Sequence, residues 1–164
     1  MEKYLKEVLD FMCINGNIDF LNFLNLNDIK KIFDDNQMDY ASENNHVNIL
    51  EWLKINELIK YSNKSINYAS TKGHINVLEW WKNSGLKMKY SIYAINYASI
   101  NKQINILEWW KNSGLKLLYN NDAINYASKK GNISILEWWK NSGLKMKYNN
   151  DAINHASNNN YINV

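Results

Sequence analysis

The side chains able to do chemistry are few, and their spacing assembles no catalytic group. His46, His74 and His155 fall in different stretches of the chain, without the spacing of metal ligands. Cys13 is the single cysteine and cannot close an internal disulfide, which points to a reducing, intracellular compartment. It reads as a small buried residue rather than a nucleophile. No Ser/His/Asp or Cys/His grouping, Gly-rich phosphate loop or close carboxylate pair stands out. No metal, cofactor or enzymatic activity is expected. The Trp pairs at 80–81, 109–110 and 138–139 invite a ligand-stacking reading. The second Trp of each pair, however, stands where Leu24 and Leu53 stand earlier, a core position. The first stands with Phe23 and Trp52 and is expected to pack between repeats. Asn63-Lys64-Ser65 and Asn132-Ile133-Ser134 match the glycosylation pattern, as chance allows in a chain this rich in Asn.

Those residues must be held by a frame that the composition bounds. The chain has 164 residues, 46% apolar and 21% charged, enough to build a packed core. No apolar run approaches the roughly 18 residues that span a membrane, and the charged N-terminus lacks the apolar stretch of a signal peptide. There is no Pro, and all 19 basic residues are Lys. Without Arg the chain has no bidentate fork for phosphate or carboxylate. Charge is uneven. Residues 1–59 carry 5 Lys against 11 acids, and residues 60–164 carry 14 Lys against 5 acids, so net −6 precedes net +9.

Self-similarity organises the whole sequence. Asn-Tyr-Ala-Ser begins at 67, 96 and 125, Asn-His-Ala-Ser at 154, and Asp-Tyr-Ala-Ser at 39. Between them runs Leu-Glu-Trp-Trp-Lys-Asn-Ser-Gly-Leu, from 78, 107 and 136, with weaker copies at 50–54 and 21–25. The spacing predicts repeats at about 7–35, 36–63, 64–92, 93–121 and 122–150, with a truncated one at 151–164. Each reads as two short helices. The first, from Ser65 to Thr71 in the third repeat, places Ile66, Ala69 and Ser70 on one face; Asp122 and Asp151 are placed to cap it later. The second runs from about Asn76 to Ser84, with Ile75, Leu78 and Trp81 inward. Turns fall at Gly16, Asn45, Gly73, Lys102, Gly131 and Asn160, five of them residues that tolerate a left-handed backbone. Lys102 is the exception, with an expected strain of about 1 kcal/mol. Leu86, Met88 and Tyr90 alternate with Lys87 and Lys89, so the connection is expected to be extended.

The pattern resembles ankyrin repeats. Ile66-Asn67-Tyr68-Ala69-Ser70 is similar to the family's first helix, Gly73-His74 to its turn, Val77-Leu78 with Trp80-Trp81 to its second helix, and Gly85-Leu86 to its close. The chain departs from the family in lacking Thr-Pro, in placing Asn at 67, 96, 125 and 154 where His is usual, and in a repeat of 29 residues instead of about 33. The resemblance implies an all-α solenoid whose hairpin fingers are shortened to plain loops. It also implies that His46 and His74 bridge neighbouring turns. The Glu-Trp-Trp-Lys-Asn-Ser-Gly block, with the Asn and Ile enrichment, is similar in style to ankyrin proteins of giant DNA viruses of amoebae, which implies a host cytoplasm.

The repeats differ most just before the turn, at Glu43-Asn44, Thr71-Lys72, Ile100-Asn101 and Lys129-Lys130, with Asn158-Asn159 following. The family resemblance implies that these positions face a partner, and they pass from acidic through neutral to basic. The function expected is a non-catalytic protein-interaction scaffold. An alternative is an anionic polymer, such as nucleic acid, held by Lys72, Lys87, Lys89, Lys116, Lys129, Lys130, Lys145 and Lys147, with steep salt dependence. Another is a truncated or decayed paralogue with no partner. Tyr161-Ile162-Asn163-Val164 opens a sixth second helix, so residues 151–164 are expected to fray or self-associate in an otherwise monomeric chain. Lys3, Lys6, Glu2, Glu7 and Asp10 are expected to form a polar cap at the other end.

Overall fold

The computed structural model describes residues 1–159, so the turn expected at Asn160 and the segment Tyr161–Val164 lie outside the described residues. The described chain is all-α, with no strand among the described residues. It packs as two compact units. One comprises Met1–Ala69 and His74–Tyr90; the other comprises Ser70–Gly73 and the chain from Ser91 onward.

The first unit holds α1 (Glu2–Asn15), α2 (Ile18–Leu21), α3 (Leu26–Ile32), α4 (Asn36–Glu43), α5 (Val47–Ile55), most of α6 (Lys64–Lys72) and α7 (Ile75–Asn83). α1 buries Leu9, Met12 and Cys13, and its half-buried Lys6 ammonium meets Asp34 at 2.6 Å. The polar cap expected there is only partly polar, because Tyr4, Phe11 and Ile14 are exposed beside Glu2, Lys3 and Glu7. Two expectations are corrected here. The copy at 21–25 does not form a second helix: α2 ends at Leu21, and Asn25 caps the next helix by accepting from the Asn27 amide at 2.9 Å. Phe23 is therefore 85% exposed rather than packed between repeats. The second correction is α3, which occupies a stretch read as connection and buries Ile29.

The second unit holds α8 (Ile92–Ile100), α9 (Ile104–Asn112), α10 (Asp122–Lys129), α11 (Ile133–Asn141) and α12 (Asn150–Asn158). The same residues do the same work in each repeat. Ala94, Ala98 and Ser99 are buried in α8, as are Ala123, Ala127 and Ser128 in α10. Small side chains there permit close helix approach. Connections are loops in which Leu86, Met88 and Tyr90 are half-buried and Lys87 and Lys89 exposed, the alternation the sequence predicts.

Inside each unit, three kinds of bond tie one repeat to the next. The second Trp of each pair reaches back to a first helix: Trp81 Nε1 donates to Ser42 Oγ at 3.0 Å, Trp110 to Ser70 at 3.1 Å, and Trp139 to Ser99 at 3.1 Å. The first Trp donates to the Glu of the preceding copy, Trp80 to Glu51 at 2.7 Å and Trp138 to Glu108 at 2.5 Å. The Trp residues are thus structural, the second of each pair fully buried and the first at the junction between copies. The third tie is an amide relay. Asn96 Nδ2 donates to Asn120 Oδ1, and Asn125 Nδ2 to Asn149 Oδ1, each at 2.5 Å. Asn120 and Asn149 in turn accept from the amides of Asp122 (3.0 Å) and Asp151 (3.1 Å), opening α10 and α12. The caps expected from Asp122 and Asp151 are therefore made by the Asn two residues earlier, because each Asp lies inside its helix. In the first unit Asp39 plays the relay part, accepting from the amides and hydroxyls of Ser62 and Ser65.

Candidate functional site

Each residue singled out near the turn lies in the last turn or cap of a first helix. Glu43 and Asn44 end α4 in the first unit. Thr71 and Lys72 end α6, Ile100 and Asn101 end α8, and Lys129 and Lys130 end α10, all in the second unit. Backbone carbonyls at these ends receive bonds from the next repeat. His46 Nε2 donates to the Ile14 carbonyl at 2.9 Å and His74 Nε2 to that of Glu43 at 3.0 Å, so both bridge neighbouring turns. In the second unit, Asn101 Nδ2 donates to the Thr71 carbonyl, Asn132 Nδ2 to Ile100 and Asn159 Nδ2 to Lys129, each at 3.4 Å. These weak, repeated ties keep consecutive helix ends in register. The ends of α6, α8 and α10 consequently form one edge. Asn132 is 97% buried by its 3% exposure, and its Oδ1 finds no partner, so an amide fills less well the place that His takes at 46 and 74.

Charge on that edge has one sign. Lys72, Lys102, Lys129 and Lys130 are exposed there. The unit's four carboxylates lie elsewhere: Asp122 and Asp151 sit at the opposite ends of their helices, where Asn120 and Asn149 bond them, Glu108 accepts from Trp138, and Glu137 is exposed on α11. Lys102 has φ 60°, a left-handed backbone at a non-glycine residue. Alongside the edge, the solvent face of the first helices carries Tyr97 and Tyr126, each 43% exposed, with Tyr93 stacked on Tyr97 at 5.4 Å. Sequence reasoning passed over these tyrosines, although their spacing of 29 residues within the Asn-Tyr-Ala-Ser motif was the available signal.

The lysines grouped by composition separate into two populations. Lys89 and Lys147 are exposed but held. Each ammonium lies 4.2 Å from the centre of a tyrosine ring, Tyr61 or Tyr119, and donates to the same residue's carbonyl at 3.1 and 2.8 Å. The tyrosine hydroxyls donate back to the Lys87 and Lys145 carbonyls, and the rings lean on Trp81 and Trp139. Burial raises the pKa of both phenols above the ordinary value. These clasps are structural.

The groups that might have been reactive are placed against reaction. Burial pushes the Cys13 thiol up to about 12, with the nearby Asp10 charge adding to it, so the thiolate is scarce at neutral pH. Among the described residues no three His, Cys, Asp or Glu side chains group as metal ligands. No described helix is long and apolar enough to cross a membrane. No protein-family model matches the chain, and no curated protein matches its sequence.

Proposed function

We propose that the chain is a non-catalytic scaffold of ankyrin-type repeats that binds a protein partner along the ends of its first helices. The observation that carries this reading is the edge in the second unit, where backbone-level ties align Thr71-Lys72, Ile100-Asn101 and Lys129-Lys130. Side chains there vary between repeats, while the Ser and buried Trp that join one repeat to another are the same at Ser42–Trp81, Ser70–Trp110 and Ser99–Trp139. An edge with a constant frame and changing side chains is suited to recognition. The Trp–Ser and Asn relays support a stacked, solenoid arrangement, whose repeats gain stability from their neighbours. Glu43 and Asn44 would continue the same role in the first unit. On the ankyrin resemblance and its likeness to viral members, the partner proposed is one of a host cytoplasm.

An anionic polymer gains less from this geometry. Two of the eight lysines it would need, Lys89 and Lys147, are occupied by tyrosine rings and carbonyls. The remaining ones divide between helix ends and loops.

The test is affinity capture from a cell lysate with the tagged chain at low and high salt, comparing two charge-reversed variants. Lys129→Glu with Lys130→Glu is expected to lose the captured proteins. Lys111→Glu with Lys140→Glu, on exposed positions of the second helices, is expected to keep them. Equal capture by all three forms would remove the helix-end edge from the function.

A further inference from the structure

We infer that Asn15–Gly16, where α1 ends, is a modification site: water converts Asn15 to aspartate or isoaspartate without an enzyme, and the product loosens the first repeat from the second. Asn-Gly occurs once in the chain, at this place. Asn15 is exposed, as are Phe11 and Ile14 in the same turn of helix. Its Nδ2 donates to the Phe11 carbonyl at 2.7 Å, four residues back. Asn44, Asn56 and Asn159 make the same bond to Tyr40, Trp52 and His155. Those three are followed by Asn45, Glu57 and Asn160, whose side chains crowd the next amide. Where Gly recurs at the turn, at 73 and 131, the residue before it is Lys. The first repeat alone joins the two.

The fold requires the glycine that makes the pair labile. Gly16 has φ 70°, and a Cβ there would stand 2.5 Å from His46 Nδ1. The same ring donates through Nε2 to the Ile14 carbonyl at 2.9 Å, so the bridge from the second repeat is built against a bare backbone. Without a side chain, the Gly16 amide nitrogen is open to attack Cγ of Asn15 once hydroxide removes its proton. The Cγ–Nδ2 bond then breaks, Nδ2 leaves as ammonia, and a succinimide ring joins the two residues. Water opens the ring on either side of its nitrogen. Breaking the bond to Cγ gives aspartate, and breaking the bond to the main-chain carbonyl carbon gives isoaspartate. One water is consumed and one ammonia released, with no change of oxidation state.

The helix end gates the step. The Gly16 N–H donates to the Met12 carbonyl, so its nitrogen is available only when the last turn of α1 opens. Each product then works against closure. Aspartate loses the donor to the Phe11 carbonyl and sets a negative charge among the free carbonyls of a helix C-terminus. Isoaspartate adds a methylene to the backbone between Ile14 and Gly16, the two residues that meet His46.

Incubation of the full chain in mildly alkaline buffer, with peptide mapping by mass spectrometry, tests the inference. Among the described asparagines, Asn15 is expected to convert first, to both products. Conversion should be at least about tenfold slower in the folded chain than in urea, because the cap must open. As conversion proceeds, the urea midpoint should fall and amide exchange in the last turn of α1 should quicken. Asn15→Gln, whose longer side chain closes a ring far less readily, should keep its midpoint over the same time. Asn15→Asp should fold and lie between the fresh and the isoaspartyl chain, which separates the charge from the altered backbone. First conversion at Asn83, Asn112 or Asn141, each of which precedes Ser, would overturn the inference. Equal rates with and without urea would do the same, as would a converted chain with the midpoint and exchange of the fresh one.

Discussion

Lys102 has a local cost that can be measured on its own. A non-glycine residue in the left-handed region costs about 1–2 kcal/mol, and glycine returns part of that as chain entropy. Lys102→Gly is therefore expected to stabilise by about 0.5–1 kcal/mol in urea unfolding, and a destabilised variant would mean that this turn is not strained. Cys13 gives the second test at this scale. Its thiol is raised to about 12 from an ordinary 9.0, so the neutral form is the one the fold favours. The stability this represents is fully present below 9.0 and is lost as pH rises through 12. At pH 8 the folded chain should react with iodoacetamide at least about a hundredfold more slowly than the urea-unfolded chain. Equal rates would contradict the burial of this thiol.

The helix pairs were legible because the period recurs in Gly, Asn and Trp and because Gly marks the turns locally. What could not be read locally were partners 24 to 40 residues apart. The Ser of Asn-Tyr-Ala-Ser looked merely small, yet Ser42, Ser70 and Ser99 each accept an indole N–H from a later helix. The pairing was nonetheless written in the chain. Leu53 stands in the place of that Trp and has no N–H, and the first-helix residue in the matching register is Cys13, not Ser. Likewise Asp34, Ser62, Ser91, Asn120 and Asn149 fall in one register and all accept from the amide two residues on. The differing residue types hid a shared capping role. α3 escaped because the repeat assigned its residues to a connection, though Ile29 and the Asn25 cap mark a helix. Ser99→Ala should cost about 1–3 kcal/mol by stranding the buried indole N–H of Trp139. The loss should shrink when measured in a Trp139→Phe background, and additive losses would mean the bond contributes nothing. In the first unit, Asp34 sits where burial would raise its pKa, but Lys6, the Asn36 amide and Gln37 hold it below 3.8. The sign follows: its contribution is present above 3.8 and fades as pH falls further. Because the pair is partly exposed, the effect is small, and Asp34→Asn should flatten the acid limb of the urea midpoint against pH.

At the scale of the whole molecule, the buried residues serve to hold the exposed ones in order. Trp, Ser and Asn repeat almost without change, and Lys, Ile, Thr and Asn vary along one edge. On the proposed reading, what folding supplies is a set of ordered side chains on helix ends. Acetylation of lysines with and without a captured partner, read by mass spectrometry, tests this most directly. Lys129 and Lys130 should be protected in the complex, with Lys111 and Lys140 labelled as in the free chain. Protection of Lys111 and Lys140 with full labelling of Lys129 and Lys130 would place the partner on the second helices and contradict the account.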